Sequence, residues 1–126
     1  MAKNRKLLSL IDETSLLILL TLSVFDNKQL TVTRISSILE TTFFQSFHHS
    51  AIRKRIDEFA KHNLVKKRKE DQGTSYSITA KGKKIEKNLE ELIQKINEET
   101  AQRVRKWREA LEETRKRFED LRGYQD

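Results

Sequence analysis

The sequence predicts a mainly α-helical protein carrying one small β-hairpin, and three observations predict it. Apolar residues recur at three- and four-residue spacing through most of the chain. One stretch breaks that rhythm: two strand-like runs, Leu64 to Glu70 and Thr74 to Thr79, meet at Asp71-Gln72-Gly73, a turn composition. Beyond it, Ala80 to Arg122 holds no proline and only Gly82, near its start, so helix is favoured throughout.

Each element has a local cause. Met1 to Lys6 is polar and basic and reads as a loose arm. Asp12 supplies an N-cap for a helix to about Phe25, in which Leu16, Leu17, Leu19, Leu20 and Val24 leave the surface apolar nearly all round, the mark of a buried helix. Asp26-Asn27-Lys28 is a turn, and Gln29-Leu30 a very short strand. Thr31 or Thr33 caps a second helix through Glu40, with Val32, Ile35, Ile38 and Leu39 on one face. Thr41 to Gln45 leads into a third helix, from about Ser46 to His62. On it Ile52, Ile56 and Phe59 fall together, while Ser50, Arg53, Lys54, Asp57 and Lys61 occupy the opposite arc. Asn63 takes the left-handed stop, where asparagine substitutes for glycine. In the second strand Tyr76 and Ile78 point inward and Ser75 and Ser77 outward, and Thr79 caps the last element.

That last element carries an apolar stripe of Ile85, Leu89, Leu92, Ile96, Val104, Trp107, Leu111, Phe118 and Leu121. With Thr100 and Thr114 filling the gaps, the mean step is about 3.6 residues, the period of a straight helix rather than a strict heptad. Unbroken, it would reach roughly 60 Å at ~1.5 Å per residue. The weak point is Asn97-Glu98-Glu99-Thr100, where Asn97 is able to cap a fresh helix, so one helix or two stacked ones both fit.

Composition bounds the function. Hydrophobic and charged residues each make up 36% of the 126 residues, enough for one modest core in one domain plus an appendage. Lys and Arg outnumber Asp and Glu by 26 to 19, a net +7 that favours a polyanionic partner, nucleic acid or an acidic membrane surface. With no cysteine, disulfides, thiolate metal sites and a cysteine nucleophile are excluded, and a reducing compartment fits. The apolar run Leu7 to Phe25 is interrupted by Asp12 and Glu13. Its remainder is about half the ~20 residues a membrane span needs, and no small-residue cleavage site follows it. A cytoplasmic, nucleoid-associated protein with no membrane contact is expected.

Charge is concentrated. From Arg53 to Lys69 eight basic residues (Arg53, Lys54, Arg55, Lys61, Lys66, Lys67, Arg68, Lys69) face Asp57 and Glu58, a net +6 over 17 residues. An even spread would suit solubility; this concentration suits a phosphate footprint. The third helix also opens on a small polar set, Ser46, His48, His49 and Ser50, followed by Arg53 and Lys54. Recognition helices set such residues against base edges in the major groove, where arginine reads guanine with two hydrogen bonds. Lys66, Lys67, Arg68 and Lys69, with Gln72 and Gly73 at the hairpin tip, suit the backbone or an adjacent minor groove.

Three helices, a tight basic hairpin and a further helix follow the winged-helix order. The run AIRKRIDEFAKHNLVKKRK, followed by SYSITAKGKKIE, resembles the PadR- and MarR-like winged-helix regulators, and is most similar to the small Lrs-like regulators of archaea. Tyr76, Ile78, Thr79 and Gly82 match the pattern Tyr-x-Ile/Leu-Thr-x-x-Gly that follows the wing, while Asn63 stands where many relatives have glycine. The resemblance, over roughly residues 12 to 90, implies a double-stranded-DNA-binding transcription regulator. It identifies neither operator nor effector.

Rival chemistries fare worse. His48 and His49 lie about 100° apart on a helix and do not form an i, i+4 metal pair. Ser50, His49 and Asp57 share one helix, with no glycine-rich oxyanion loop, so neither catalysis nor a cofactor is expected. Phe43, Phe44 and Phe47 read as core, or less simply as a small hydrophobic effector pocket. The sequence divides into a DNA-binding domain, 1–82, and a C-terminal dimerisation helix, 83–126. Its strip of Leu89, Leu92, Ile96, Val104, Trp107, Leu111 and Phe118 is expected to project and pair, coiled-coil fashion, with a second copy. The rival to a sequence-specific regulator is an architectural protein that coats DNA with weak sequence choice.

Overall fold

The computed structural model describes residues 12–26, 28–71 and 73–125, the side chains of 120–125 excepted. The expected arm, Met1 to Lys6, the hairpin-tip Gln72 and the side chain of Leu121 lie outside them. The order of elements is α1 (Glu13–Val24), α2 (Val32–Phe43), α3 (His49–Lys61), β1 (Val65–Glu70), β2 (Gly73–Ile78), α4 (Ala80–Ile96) and α5 (Glu98–Gln125). This is a winged-helix arrangement, mainly helical with one antiparallel hairpin after the third helix.

Helix α1 is the centre of the molecule. Asp12 caps it by accepting from the Ser15 amide at 2.8 Å, and Ser15 through Leu22 are buried in an unbroken run. Such burial needs neighbours on every side, and α2, α3, α4, α5 and β2 all pack against it. Leu30 exchanges two backbone hydrogen bonds with Tyr76, both 2.8 Å, so the very short strand exists as a single bridge beside β2. Thr31, not Thr33, caps α2.

The junction between α3 and the hairpin is the tightest piece of local construction. Asn63 is left-handed (φ 62°). Its amide bonds to the Ala60 carbonyl, and the next amide, Leu64, reaches back to Phe59 at 2.9 Å. That pair of bonds is a Schellman stop, and the buried side chains of Phe59 and Leu64 close it. The Thr79 hydroxyl meets the carbonyls of Asn63 and Leu64 and accepts from the Gly82 amide, capping α4. A Cβ on Gly82 would lie 2.1 Å from the Leu64 carbonyl oxygen, so only glycine lets α4 pass this close. The Tyr-x-Ile-Thr-x-x-Gly pattern is thus a packing device that docks the hairpin on α4.

The C-terminal half corrects the expected appendage. The helix breaks at Asn97, whose side chain accepts from the Thr100 amide and starts α5 afresh. Helix α5 then turns back over α1, α2 and α4. Leu89, Val104 and Leu111 are buried in the chain's own core, with Trp107 and Phe118 packed against it. Most of the strip expected to project toward a second copy is therefore covered from within. Thr114, one of the expected gap fillers, is buried and bonds Thr42 at 2.7 Å, fastening α5 to the end of α2. Thr100 is only half-buried, and Ala101 beside it takes the buried place. Leu92 is half-buried, and Ile96, at the turn, is exposed. The boundary expected between residues 82 and 83 falls inside α4, and one core runs across it. The outward face of α5 alternates Arg103, Arg105, Lys106, Lys116 and Arg117 with Glu109, Glu112 and Glu113, which is no coiled-coil seam.

Candidate nucleic-acid interface

Helix α3 sorts its residues as the spacing predicts. Ile52 and Ile56 are fully buried and Phe59 nearly so, whereas Arg53 and Lys54 are exposed on the other side. The helix begins at His49 rather than Ser46, and Ser46 and His48 stand on the loop leading into it. His48 is the N-cap residue but makes no side-chain cap bond, so the first-turn amides of α3 have no side-chain partner among the described residues. Together with exposed Ser46, His48, His49 and Ser50 they form a polar, anion-tolerant end.

Three groups fix this helix against its surroundings, and the sequence alone does not disclose the pairings. Arg55 forks onto Asp12 with Nη2–Oδ2 at 2.7 Å, tying α3 to the cap of α1. This hydrogen bond to the guanidinium holds the Asp12 carboxyl well below the usual carboxylate range. Asp57 accepts from the Tyr76 hydroxyl at 2.8 Å and from Lys67 Nζ at 3.1 Å. Burial, which alone would raise the Asp57 pKa, is outweighed by these two donors, and the net direction is down. Burial first, and Asp57 second, push the Tyr76 phenol up to about 12. Of the basic residues on α3, Arg55 is therefore a structural brace.

The hairpin register explains how its cations are shared out. Lys67 pairs with Tyr76 and Lys69 with Thr74, while Lys66 and Arg68 lie opposite Ser77 and Ser75 on the other face. Lys67 lies over the Tyr76 ring, 5.9 Å from its centroid, and is bound to Asp57. Arg68 pairs with Glu70 at 2.7 Å. Arg53, Lys54, Lys66 and Lys69 form no ion pair among the described residues. Gly73 carries φ 133° at the start of β2, which suits glycine in the turn. Arg53 stands one helical turn from Asp57, which holds Lys67, so the basic arc of α3 runs straight into β1.

The phenylalanine cluster divides. Phe43 and Phe47 are packed on the core, as the simpler expectation had it. Phe44 is 90% exposed and left-handed at φ 55°, ψ 33°. The described residues form no group of three His, Cys, Asp or Glu able to hold a metal, and none of their helices is long and apolar enough to cross a membrane.

No family model matches the chain, and no curated protein matches it. Among solved structures, AF1382 from Archaeoglobus fulgidus is similar, with a TM-score of 0.50 at 18% identity. The match covers 71% of this chain and 94% of that one. At that identity the likeness is one of fold.

Proposed function

We propose that this protein binds double-stranded DNA through α3 and the basic hairpin, and regulates transcription by occupying that DNA. The observation that carries the reading is the set of exposed residues running from Ser46 and His49 through Arg53 and Lys54 on α3 to Lys66 and Lys69, which stand on opposite faces of β1. Arg53, Lys54, Lys66 and Lys69 form no ion pair among the described residues, while the apolar side of α3 is buried. Unpaired arginine and lysine on a packed helix retain their full charge for phosphate and base edges. The reading does not call for a dimer built on the long helix, most of whose stripe the chain covers itself. A nucleoid location and a place among the PadR- and MarR-like regulators, closest to the Lrs-like ones, belong to the same proposal.

Selection of bound duplexes from random DNA, followed by anisotropy titration, tests it. A recovered motif bound at least about a thousandfold more tightly than random duplex marks a regulator, whereas a ratio near one marks an architectural coat. Arg53→Ala and Lys54→Ala should keep the wild-type melting temperature, since both side chains are exposed. Where either side chain bonds a base through two hydrogen bonds, its removal should cost about 1–3 kcal/mol on the selected site alone. Unchanged affinity in both variants would remove α3 from the interface.

A further inference from the structure

We infer that Phe44 is a specificity residue that sets its ring against a thymine C5 methyl in the major groove, an inference resting on the DNA-binding reading above. An exposed apolar side chain by itself means little. Phe44 is singled out by its backbone. It occupies the left-handed region at φ 55°, ψ 33°, which bulky side chains rarely adopt and glycine or asparagine take easily. The chain thus holds an aromatic residue where the backbone favours a small or polar one, and presents almost the whole ring to solvent. Its neighbours Phe43 and Phe47 both turn onto the core, so the outward position is particular to residue 44.

The loop is rigidly placed. The Phe44 amide bonds the Glu40 carbonyl at 2.9 Å, the Ser36 hydroxyl donates to the Phe47 carbonyl at 3.3 Å, and Thr42 is bound to Thr114. The ring stands on the loop that leads into α3, within five residues of the base-reading candidates Ser46, His48 and His49. Each of those is polar and suited to hydrogen-bonding groups, with little apolar surface as a means of recognising a methyl group. An aromatic edge has that means, and thymine is the base that offers a methyl in the major groove. Ile96, the other large exposed hydrophobic residue among those described, sits at the α4–α5 turn and belongs to neither α3 nor the hairpin.

The test uses duplexes recovered by the wild-type protein from random DNA, with deoxyuridine replacing thymine one position at a time. That change deletes only the methyl. At one position it should weaken wild-type binding about fourfold, the worth of one buried methyl-sized group. Phe44→Asn, which suits the left-handed backbone, should melt no lower than wild type, bind the parent duplex about fivefold more weakly, and ignore the uridine change. Phe44→Leu should retain most of the discrimination. Wild-type affinity in Phe44→Asn, with Arg53→Ala still impaired, would overturn this inference and leave the DNA reading standing. A uniform loss in Phe44→Asn, with no uridine-sensitive position, would overturn it as well. So would an altered sedimentation coefficient at unchanged DNA affinity, which would assign Phe44 to a protein contact. Failure of the wild type to bind any duplex would overturn both readings together.

Discussion

The segment from α3 through β1 and the hairpin of α4 and α5 are both rich in lysine and arginine, yet they balance those charges to different degrees. Arg53 to Lys69 carries a net +6 over 17 residues, and four of its cations face solvent with no ionic partner among the described residues. Residues 80–119 hold twelve basic against nine acidic side chains, and key cations there are taken up by the fold. Arg108 joins Glu86, at 2.6 Å, and Glu90 across α4 and α5. Lys83 pairs with Asp26 at 2.9 Å, and Arg115 caps the Val24 carbonyl of α1 at 3.1 Å. Some cations in each region are mortar between elements; what sets Arg53 to Lys69 apart is the density of its excess charge, +6 over 17 residues against +3 over 40.

The largest effect should come from breaking the covering helix. Leu111 is fully buried against the shared core. Leu111→Ala should lower the free energy of unfolding by about 2–5 kcal/mol in urea titrations, with no change in sedimentation. If α5 were instead a seam between two copies, the same variant would dissociate a dimer and leave the monomer's stability near that of wild type.

The second test concerns the mortar. Glu86 is 2% exposed; burial, with Glu90 adding to it, raises its carboxyl from 4.5 to about 8, against the pull of Arg108. Below pH 4.5 folded and unfolded chains both hold this proton and the contribution is intact. Between pH 4.5 and 8 only the folded chain retains it, so the stabilisation declines with rising pH and is gone above 8. Glu90, whose pKa is lowered, acts in the opposite sense at the acid end. Melting scans from pH 5 to 9 should show wild type losing stability relative to Glu86→Gln, which carries no titrating proton. Parallel curves would mean that Arg108 keeps Glu86 ionised throughout.

The hairpin sharpens the comparison within a single strand. Lys66 and Lys69 form no ion pair among the described residues, while Lys67 is bound to Asp57 and covers Tyr76. Lys66→Ala with Lys69→Ala should weaken binding to all duplexes and reduce the salt slope by roughly 0.9 log–log units for each phosphate no longer neutralised, with stability unchanged. Lys67→Ala should also lower the melting temperature, because Asp57 then keeps only the Tyr76 hydroxyl. A full salt slope in the double variant would mean that the hairpin stays off DNA.

Much of this fold was legible beforehand because its signals are local. Caps at Asp12, Thr31 and Thr79, the buried all-apolar helix and the alternation at Tyr76 and Ile78 depend on a few adjacent residues each. The destination of the C-terminal stripe was not legible. Periodicity in Val104, Trp107, Leu111 and Phe118 says that one face is covered, but not whether the cover is a second copy or the chain itself. Asn97 held the only local hint, a cap residue inside a helical run. Of the candidate interface, the outward placing of Arg53 and Lys54 followed from the wheel. The pairings Arg55–Asp12 and Lys67–Asp57 join residues 43 and 10 apart in sequence, and no spacing rule announces them. Phe44 was hidden for a related reason: composition groups it with Phe43 and Phe47, and only the backbone angle separates it from them.

The smallest expected effect probes the joint between the two regions. Asn63 ends α3 in the left-handed conformation and hands the chain to β1 through Leu64. Asparagine tolerates that conformation because its short amide bonds locally, whereas a plain Cβ meets the following carbonyl oxygen at a cost of roughly 1–2 kcal/mol. Asn63→Ala should therefore lose about 1 kcal/mol in urea titrations. Asn63→Gly should stay within about 0.5 kcal/mol of wild type, since relief of the Cβ is offset by the greater freedom glycine gains when unfolded. DNA affinity serves as the second readout. The Schellman bonds from Asn63 and Leu64 set the angle between α3 and the hairpin, and Thr79 and Gly82 lock that angle onto α4. If the joint only stabilises, Asn63→Ala should bind DNA as wild type does at temperatures where it remains folded. If it aims the hairpin, the affinity should fall on every duplex while the sequence preference set by α3 survives.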